Sequence, residues 1–172
     1  PAGLRGGVIY HDAQFDDARL ALSLARTCAD LGGVPVNYMK VVRLLKRKGR
    51  VCGVVVRDEE DPARPLIEIR ARAVINATGV FSDAIRRMDQ RAAAPLSRPS
   101  QGVHLVLDRS FLPGTSAIMV PHTEDGRVLF AVPWHDRVLL GTTDTAVSRA
   151  ALEPAPLESE IQYLLRHAAR YL

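Results

Sequence analysis

Two hydrophobic periodicities alternate along the first part of the chain. Short apolar runs at residues 7–10, 34–37 and 74–76 have the length of buried strands. Between the first two runs, apolar residues recur at helical spacing behind a pair of aspartates, and acidic residues suit a helix N-terminus. Because a strand–helix–strand order favours a parallel layer, we expect a helix over residues 16–31 and the three runs to form a parallel or mixed sheet.

The middle of the chain has a different pattern. Strand-like stretches at residues 41–46, 51–57 and 66–70 are separated by Lys48-Gly49-Arg50 and by a polar loop. Breaks of this kind join neighbouring antiparallel strands. The pattern therefore predicts a three-stranded antiparallel meander inserted between helical units. A short helix is predicted further on, at residues 81–90.

Strands dominate the prediction for the second half of the chain. Residues 102–107 alternate so that one face is apolar and His104 lies on the other. Further strands are predicted at residues 117–121, 128–133 and 138–140. An amphipathic helix follows, with Glu158 and Glu160 in its first turn, where acidic side chains suit the positive helix end. The predicted fold class is therefore mixed α+β or α/β, combining a parallel or mixed sheet, the meander and antiparallel strands.

Composition narrows the class of protein. The 172 residues are 47% hydrophobic and 24% charged, which is ordinary for a globular domain. Aromatic residues make up only 5%, and the positive charges behind the net charge of +4 are largely scattered, so no nucleic-acid surface is expected. No apolar run is long enough to cross a bilayer. The cysteines and histidines show no metal-ligand spacing, and we expect no metal site.

The junction Ala77-Thr78-Gly79 is the strongest local signal for a ligand. It ends the apolar run at residues 74–76 and leads into the predicted helix. Ligands in open α/β sheets bind beyond the carboxyl ends of strands, where backbone amides can face a phosphate or a flavin edge. An ordinary strand–turn–helix connection has the same pattern, so the residues alone leave both interpretations open.

Several motifs occur in a fixed order along the chain. They are Asp12-Ala13-Gln14-Phe15-Asp16-Asp17-Ala18-Arg19-Leu20, Asn37-Tyr38-Met39-Lys40-Val41, Val74-Ile75-Asn76-Ala77-Thr78-Gly79-Val80-Phe81-Ser82-Asp83, Ile85-Arg86-Arg87-Met88-Asp89, Pro99-Ser100-Gln101-Gly102-Val103-His104, Gly126-Arg127-Val128-Leu129-Phe130, Pro133-Trp134 and Gly141-Thr142-Thr143-Asp144-Thr145. Together they resemble, over nearly the whole chain, the FAD-dependent glycerol-3-phosphate dehydrogenases. Two positions depart from that family. Val80 stands where the family usually has proline, and His11-Asp12-Ala13 where it more often has Asp-Gly.

The resemblance implies an internal part of such an enzyme. The Gly-x-Gly-x-x-Gly fingerprint that holds the FAD pyrophosphate in the family does not occur in this sequence. Residues 1–90 would be a portion of the FAD-binding domain carrying the meander, and residues 91–172 a portion of the substrate-binding domain ending in a helix. The implied fold is that of a two-dinucleotide-binding-type FAD oxidoreductase. The implied reaction of the full-length protein is oxidation of sn-glycerol 3-phosphate to dihydroxyacetone phosphate by hydride transfer to FAD. The isolated chain is expected to be inactive and to lack FAD.

The resemblance also assigns roles to individual residues. They are the catalytic candidate His104, the substrate-binding candidates Arg127, Thr142, Thr143 and Asp144, and the cofactor-binding candidates Ala77, Thr78 and Gly79. An imidazole suits removal of a hydroxyl proton, and the alternative for His104 is a structural histidine. Arg127 would neutralise phosphate or flavin charge, although an arginine after Asp-Gly is also common in turns. For the two threonines and the aspartate, the alternative is a self-bonded polar turn.

Two other functions stay open at this stage. A related FAD-dependent amine or amino-acid oxidase would share the fold, since fold does not fix substrate, and a non-catalytic binding module is the third option. Segments 101–104 and 141–145 are not expected together in such an oxidase. The implied partners are glycerol 3-phosphate and, through the full-length protein, a quinone or another electron acceptor. The expected location is cytoplasmic; the family also allows peripheral contact with the inner membrane, and exposed apolar surface allows self-association of the isolated chain.

Overall fold

The computed structural model describes residues 5–121, 123 and 126–171. These divide into two compact units, one formed by residues 5–77 and 84–93, and the other by residues 78–83 and the described residues from 94 onward. In chain order the helices and strands are α1 (Asp17–Asp30), β1 (Met39–Arg47), β2 (Arg50–Asp58), β3 (Ile67–Arg70), α2 (Ser82–Asp89), β4 (Ser100–Gln101), β5 (His104–Asp108), β6 (Ile118–Val120), β7 (Leu129–Trp134), β8 (Arg137–Gly141), β9 (Thr145–Ala146) and α3 (Glu158–Tyr171).

The first unit contains α1 and the meander, as the sequence predicts. Asp16 is the N-cap of α1, and its side chain accepts the Arg19 N–H at 3.0 Å. Strands β1, β2 and β3 form an antiparallel sheet in that order, and the first hairpin closes on the pair Arg47 and Arg50. The predictions of the first helix and of the three-stranded meander are therefore confirmed.

The predicted parallel layer is not found. Residues 7–10, 34–37 and 74–76 form no strand, and every ladder among the described residues is antiparallel. Most apolar side chains of these runs are exposed, with Ile9 at 92% and Ile75 at 88%, whereas Val74 is half-buried. A parallel strand needs neighbouring strands and two covered faces, and the three runs do not pair with one another. The prediction of a parallel sheet is therefore wrong for this chain, because an apolar run indicates a preference for burial without supplying the partner strand.

The second unit is built around a four-stranded antiparallel sheet in the order β5-β8-β7-β6. One face packs on α3 through fully buried side chains that include Leu129, Val138, Leu140 and Leu164. Burial of each such side chain contributes about 1.5–3 kcal/mol. This face and α3 form the main hydrophobic core.

The opposite face of the four-stranded sheet is open. The strand register places His104, Gly141, Phe130 and Met119 in one row across the four strands. Phe130 is 38% exposed and Met119 41%. The predicted alternation of β5 is confirmed, since its residues are alternately exposed and half-buried and His104 is on the exposed side. The sheet therefore presents His104 on an accessible, largely apolar surface.

A two-stranded ladder and the hydrogen bonds of one buried aspartate complete the second unit. Strand β4 pairs with β9, with Gln101 opposite Thr145. Asp83, in the first turn of α2, is buried, and its carboxylate accepts the backbone N–H groups of Leu96 at 2.9 Å and Ser97 at 3.2 Å. These bonds fix the loop that leads from α2 toward the sheet.

Candidate functional site

His104 lies at the start of β5, directly opposite Gly141 at the end of β8. Its ring lies against the Gly141 backbone, because a Cβ on Gly141 would lie 2.8 Å from Cγ and 2.9 Å from Nε2 of His104. Real Cβ atoms rarely approach other atoms so closely. The absence of a side chain at Gly141 therefore gives the imidazole its place on the open face.

A second glycine brings the loop after β8 close to the residues before β5. A Cβ on Gly102 would overlap the Thr143 carbonyl oxygen and lie 2.5 Å from the Thr142 hydroxyl oxygen. The Thr142 hydroxyl donates to the Thr143 carbonyl at 2.9 Å and lies 3.3 Å from the Val103 carbonyl. Thr142 and the backbone next to His104 are thus neighbours.

Thr143 is turned inward. Its residue is 4% exposed, and its hydroxyl oxygen accepts the Val103 N–H at 3.0 Å. The same hydroxyl donates to the Glu160 carboxylate at 3.3 Å. Asp144, the next residue, is exposed. The polar loop therefore divides into an inward-facing threonine and two outward residues, Thr142 and Asp144.

Glu160 is a buried carboxylate beneath this loop, with 3% of its residue exposed. Burial alone would raise the pKa of its carboxyl group, but hydrogen bonds from the Thr145 side chain, the Leu157 N–H, Gln101 and Thr143 together hold that pKa below its usual value. The charged form of Glu160 is therefore the form that the surrounding donors stabilise.

Arg127 comes just before β7 begins. Its carbonyl oxygen accepts both the N–H of Thr123 at 3.1 Å and the hydroxyl of Thr123 at 2.9 Å, and its residue is half-buried. The first part of β7 pairs with the end of β8, where Phe130 is opposite Gly141. The predicted residues Arg127, His104 and Thr142 therefore lie at the same end of the four-stranded sheet.

The cofactor-binding candidates Ala77, Thr78 and Gly79 are all exposed. Gly79 has φ of +53° and begins a single 3₁₀ turn, in which the Phe81 N–H donates to the Thr78 carbonyl at 3.0 Å. A Cβ added at Gly79 would meet nothing within 4 Å. An exposed left-handed glycine turn of this kind fits the close approach of a large ligand to the backbone, as FAD would require.

Two residues of this site were not predicted as functional from the sequence. The sequence pattern identifies Glu160 only as a charge in the first helical turn, and Gly141 only as the start of a polar turn. A signal for Glu160 was present, because it is the third residue of α3 and accepts the N–H of Leu157, which precedes the helix, at 2.8 Å. A glutamate at that helical position commonly makes such a bond. Its contacts with β4 and the loop after β8 had no local signal.

The described residues contain neither a cluster suited to a metal ion nor a helix suited to a membrane. No group of three or more histidine, cysteine or acidic residues is arranged to hold a metal ion within that part of the chain. Across the same residues, no helix combines the length and apolar character needed to span a bilayer.

Comparison with known proteins shows the class to which this chain belongs. The family model described as FAD dependent oxidoreductase matches residues 1–172. The chain therefore belongs to the family of FAD-dependent oxidoreductases. The predicted family and the predicted dependence of that family on FAD are both confirmed.

Within that family, the most informative similarities are to glycerol-3-phosphate dehydrogenases. The chain is 39% identical over 175 residues to the mitochondrial glycerol-3-phosphate dehydrogenase of Homo sapiens, covering 98% of this chain and 24% of that protein. It is 39% identical over 181 residues to the mitochondrial enzyme of Schizosaccharomyces pombe, covering 99% of this chain and 28% of that protein. The predicted resemblance is thereby confirmed, and the chain spans about a quarter of the length of these curated relatives.

A solved structure gives the same result for the fold. The glycerol-3-phosphate dehydrogenase from Bacillus halodurans, complexed with FAD, superposes with a TM-score of 0.82 at 35% sequence identity. The superposition covers 91% of this chain and 31% of that chain. The mixed α and β fold of this chain is therefore that of a portion of an FAD-binding enzyme.

Proposed function

We propose that the protein containing this chain oxidises sn-glycerol 3-phosphate to dihydroxyacetone phosphate as an FAD-dependent dehydrogenase. The observation that carries the proposal is the placement of His104 on the open sheet face, at the same end of the sheet as Arg127 and Thr142. The similarity to glycerol-3-phosphate dehydrogenases over almost the whole chain supports it. Under this proposal, residues 1–90 contribute to the FAD-binding domain and residues 91–172 to the substrate-binding domain.

His104 is the proton acceptor in this proposal. Oxidation of a secondary alcohol removes a hydride from carbon and a proton from the hydroxyl group, and an imidazole accepts protons near neutral pH. The ring is exposed on the open face and is held against Gly141. His104 therefore takes the hydroxyl proton while the alcohol carbon loses its hydride.

The substrate is held by the polar residues at the same end of the sheet. The Arg127 guanidinium supplies positive charge for the phosphate group. Thr142 and Asp144 are exposed and supply hydrogen-bonding groups for the hydroxyls of the substrate. Thr143, whose hydroxyl bonds the Val103 N–H, contributes by fixing the backbone beside His104.

FAD supplies the hydride acceptor when it is bound. The residues of this chain assigned to it are Ala77, Thr78 and Gly79, whose exposed turn leaves backbone groups accessible to a large ligand. The Gly-x-Gly-x-x-Gly fingerprint that usually anchors the pyrophosphate is not part of this sequence. This turn is therefore one contribution to a larger cofactor site.

The proposal also covers the electron acceptor and the cellular location of the full-length protein. A quinone or another acceptor would re-oxidise the flavin of the full-length protein, and peripheral contact with the inner membrane would bring that acceptor within reach. The named relatives from Homo sapiens and Schizosaccharomyces pombe are mitochondrial proteins, which is compatible with such a location. Co-sedimentation of the full-length protein with lipid vesicles measures this contact directly.

The substitution His104→Ala tests the proposed function in the full-length flavoprotein. Loss of a general base lowers turnover by about 10²–10⁴-fold, and because His104 is not assigned to the cofactor, FAD content should stay normal. The matched control is His11→Ala, which removes an exposed histidine from the other unit. Turnover is measured with glycerol 3-phosphate and a redox dye, and FAD by its absorbance.

Three outcomes decide between the candidate functions. Unchanged turnover in His104→Ala removes His104 from the catalytic role. Turnover with amines or amino acids, and none with glycerol 3-phosphate, would place the protein among the amine and amino-acid oxidases. Absence of any turnover in the flavin-loaded wild-type protein would contradict the dehydrogenase assignment itself.

A further inference from the structure

A buried carboxylate on α3 has no part in the chemistry proposed above. The Oε2 atom of Glu160 accepts the Leu157 N–H at 2.8 Å and the Gln101 side-chain N–H at 2.9 Å. Its Oε1 atom accepts the Thr143 hydroxyl at 3.3 Å. These partners belong to the N-terminus of α3, to β4 and to the loop after β8. The Thr145 side chain, on β9, also donates to this carboxylate. Glu160 therefore joins four segments of the second unit at one buried point.

The Thr143 hydroxyl donates one hydrogen bond and accepts another, and the charge on Glu160 decides which partner receives its hydrogen. A hydroxyl has one hydrogen to donate, and an ionised carboxylate can only accept, so the Thr143 hydrogen points to Glu160. The lone pairs of the hydroxyl oxygen are then available to the Val103 N–H at 3.0 Å. Val103 directly precedes His104 in the chain. A continuous path of hydrogen bonds thus runs from Glu160 to the backbone that carries His104.

We propose that Glu160 is a positioning residue for the oxidation: its carboxylate orients the Thr143 hydroxyl, and that hydroxyl holds the start of β5 so that His104 faces the substrate. The inference rests on the proposed function, because the effect of Glu160 is exerted through His104. The close approach needed for this path depends on Gly102, where any Cβ would collide with the Thr143 carbonyl oxygen. Burial strengthens the path, since a charged acceptor in a site of low dielectric binds its donors more strongly.

Glu160→Gln removes the negative charge and one of the two acceptor oxygens of this side chain with the smallest change in shape. Whichever way the new amide group is oriented, its nitrogen replaces an oxygen that now accepts either from Thr143 or from Leu157 and Gln101. The matched control is Glu158→Gln, which makes the same chemical change on the same helix at an exposed residue bonded to the Gln162 side chain. Thr143→Val removes the hydroxyl with little change in volume.

The experiment measures kcat and KM per bound flavin in the full-length protein, together with FAD content and melting temperature. A displacement of catalytic groups by about 1 Å lowers turnover by about 10²-fold, so Glu160→Gln should lower kcat by about 10–10²-fold while FAD content is unchanged. Glu158→Gln should leave kcat unchanged. Because Glu160 and Thr143 act in one path, the double variant Glu160→Gln/Thr143→Val should lose no more turnover than the worse single variant.

The outcomes separate a positioning role from a purely structural one. A lower melting temperature with normal kcat per flavin in Glu160→Gln would overturn the proposal, as would losses that multiply in the double variant. If Glu160→Gln does not fold, Glu160→Asp keeps the charge and should give a kcat below that of the wild type, while Thr143→Val should lower kcat by itself. If the wild-type protein is active and the Glu160 and Thr143 variants have its kcat, only the positioning role is overturned. If the flavin-loaded wild-type protein is inactive, the proposed function is overturned as well.

Discussion

Gly141→Ala should reduce turnover without removing any polar group of the site. The new Cβ would lie 2.8 Å from Cγ and 2.9 Å from Nε2 of His104 and still closer to Cδ2. Carbon atoms pack best at about 3.5–4.0 Å, so the ring has to move by about 1 Å or the paired strands have to separate. A shift of that size in a catalytic group lowers kcat by about 10²-fold, and the overpacking costs about 1–3 kcal/mol of stability.

The assay compares kcat per bound flavin and the free energy of unfolding for Gly141→Ala with those of Gly114→Ala. Gly114 is an exposed glycine at which a Cβ would meet nothing within 4 Å, so its substitution should leave both quantities close to wild type. Turnover equal to wild type in Gly141→Ala would refute the reasoning, because it would mean that the His104 ring does not need the space above Gly141. A loss of turnover in Gly114→Ala would show that the effect is not specific to that position.

Three further predictions concern stability and cofactor binding. Leu140→Ala removes a side chain that is 2% exposed in the main core and should lower the free energy of urea unfolding by about 2–5 kcal/mol, whereas Leu152→Ala, at 85% exposure, should change it by at most about 0.5 kcal/mol. Because the pKa of Glu160 is lowered in the folded state, its carboxylate stabilises the fold above the unfolded-state pKa of about 4.3, and this stabilisation is lost as pH falls through the folded-state pKa. The difference in urea midpoint between the wild type and Glu160→Gln should therefore shrink between pH 7 and acidic pH. A difference that does not change with pH would contradict this. After incubation with FAD and removal of free FAD by gel filtration, the isolated chain should be colourless, and it should be inactive with glycerol 3-phosphate. Flavin absorbance that stays with the protein would show that it holds a more complete cofactor site.

The elements that could be predicted from the sequence are those whose partners are close in the chain. The helix at Asp17–Asp30 has its cap, its spacing and its end within one segment, and the β1–β2 hairpin has its turn between its own strands. The strands expected at residues 7–10, 34–37 and 74–76 failed for the opposite reason. A parallel ladder depends on distant partners, and the apolar pattern carries no information about whether they are present.

The candidate site shows the same division. The alternation of β5 alone predicts that His104 lies on the face opposite Leu105 and Leu107, and the structure confirms that placement. The roles of Glu160 and Gly141 could not be predicted, because their significance comes from pairs distant in the chain. Glu160 bonds Gln101 across 59 residues and Thr143 across 17, and Gly141 meets His104 only through the register of β5 and β8.

Helix α1 shows how strongly order in one part of this chain depends on its surroundings. It has 14 residues, none of them buried, and Leu24 on its apolar stripe is 62% exposed. Helices shorter than about 12–15 residues are marginal in water, because nucleation is costly and each added residue gains little. For the isolated chain we therefore expect α1 to exchange between helix and coil, with the Asp16 cap as its main local stabilising contact. Amide hydrogen exchange along α1 therefore reports whether the apolar stripe of this helix is in contact with another surface. Fast exchange means that the stripe faces water, and slow exchange means that another surface covers it.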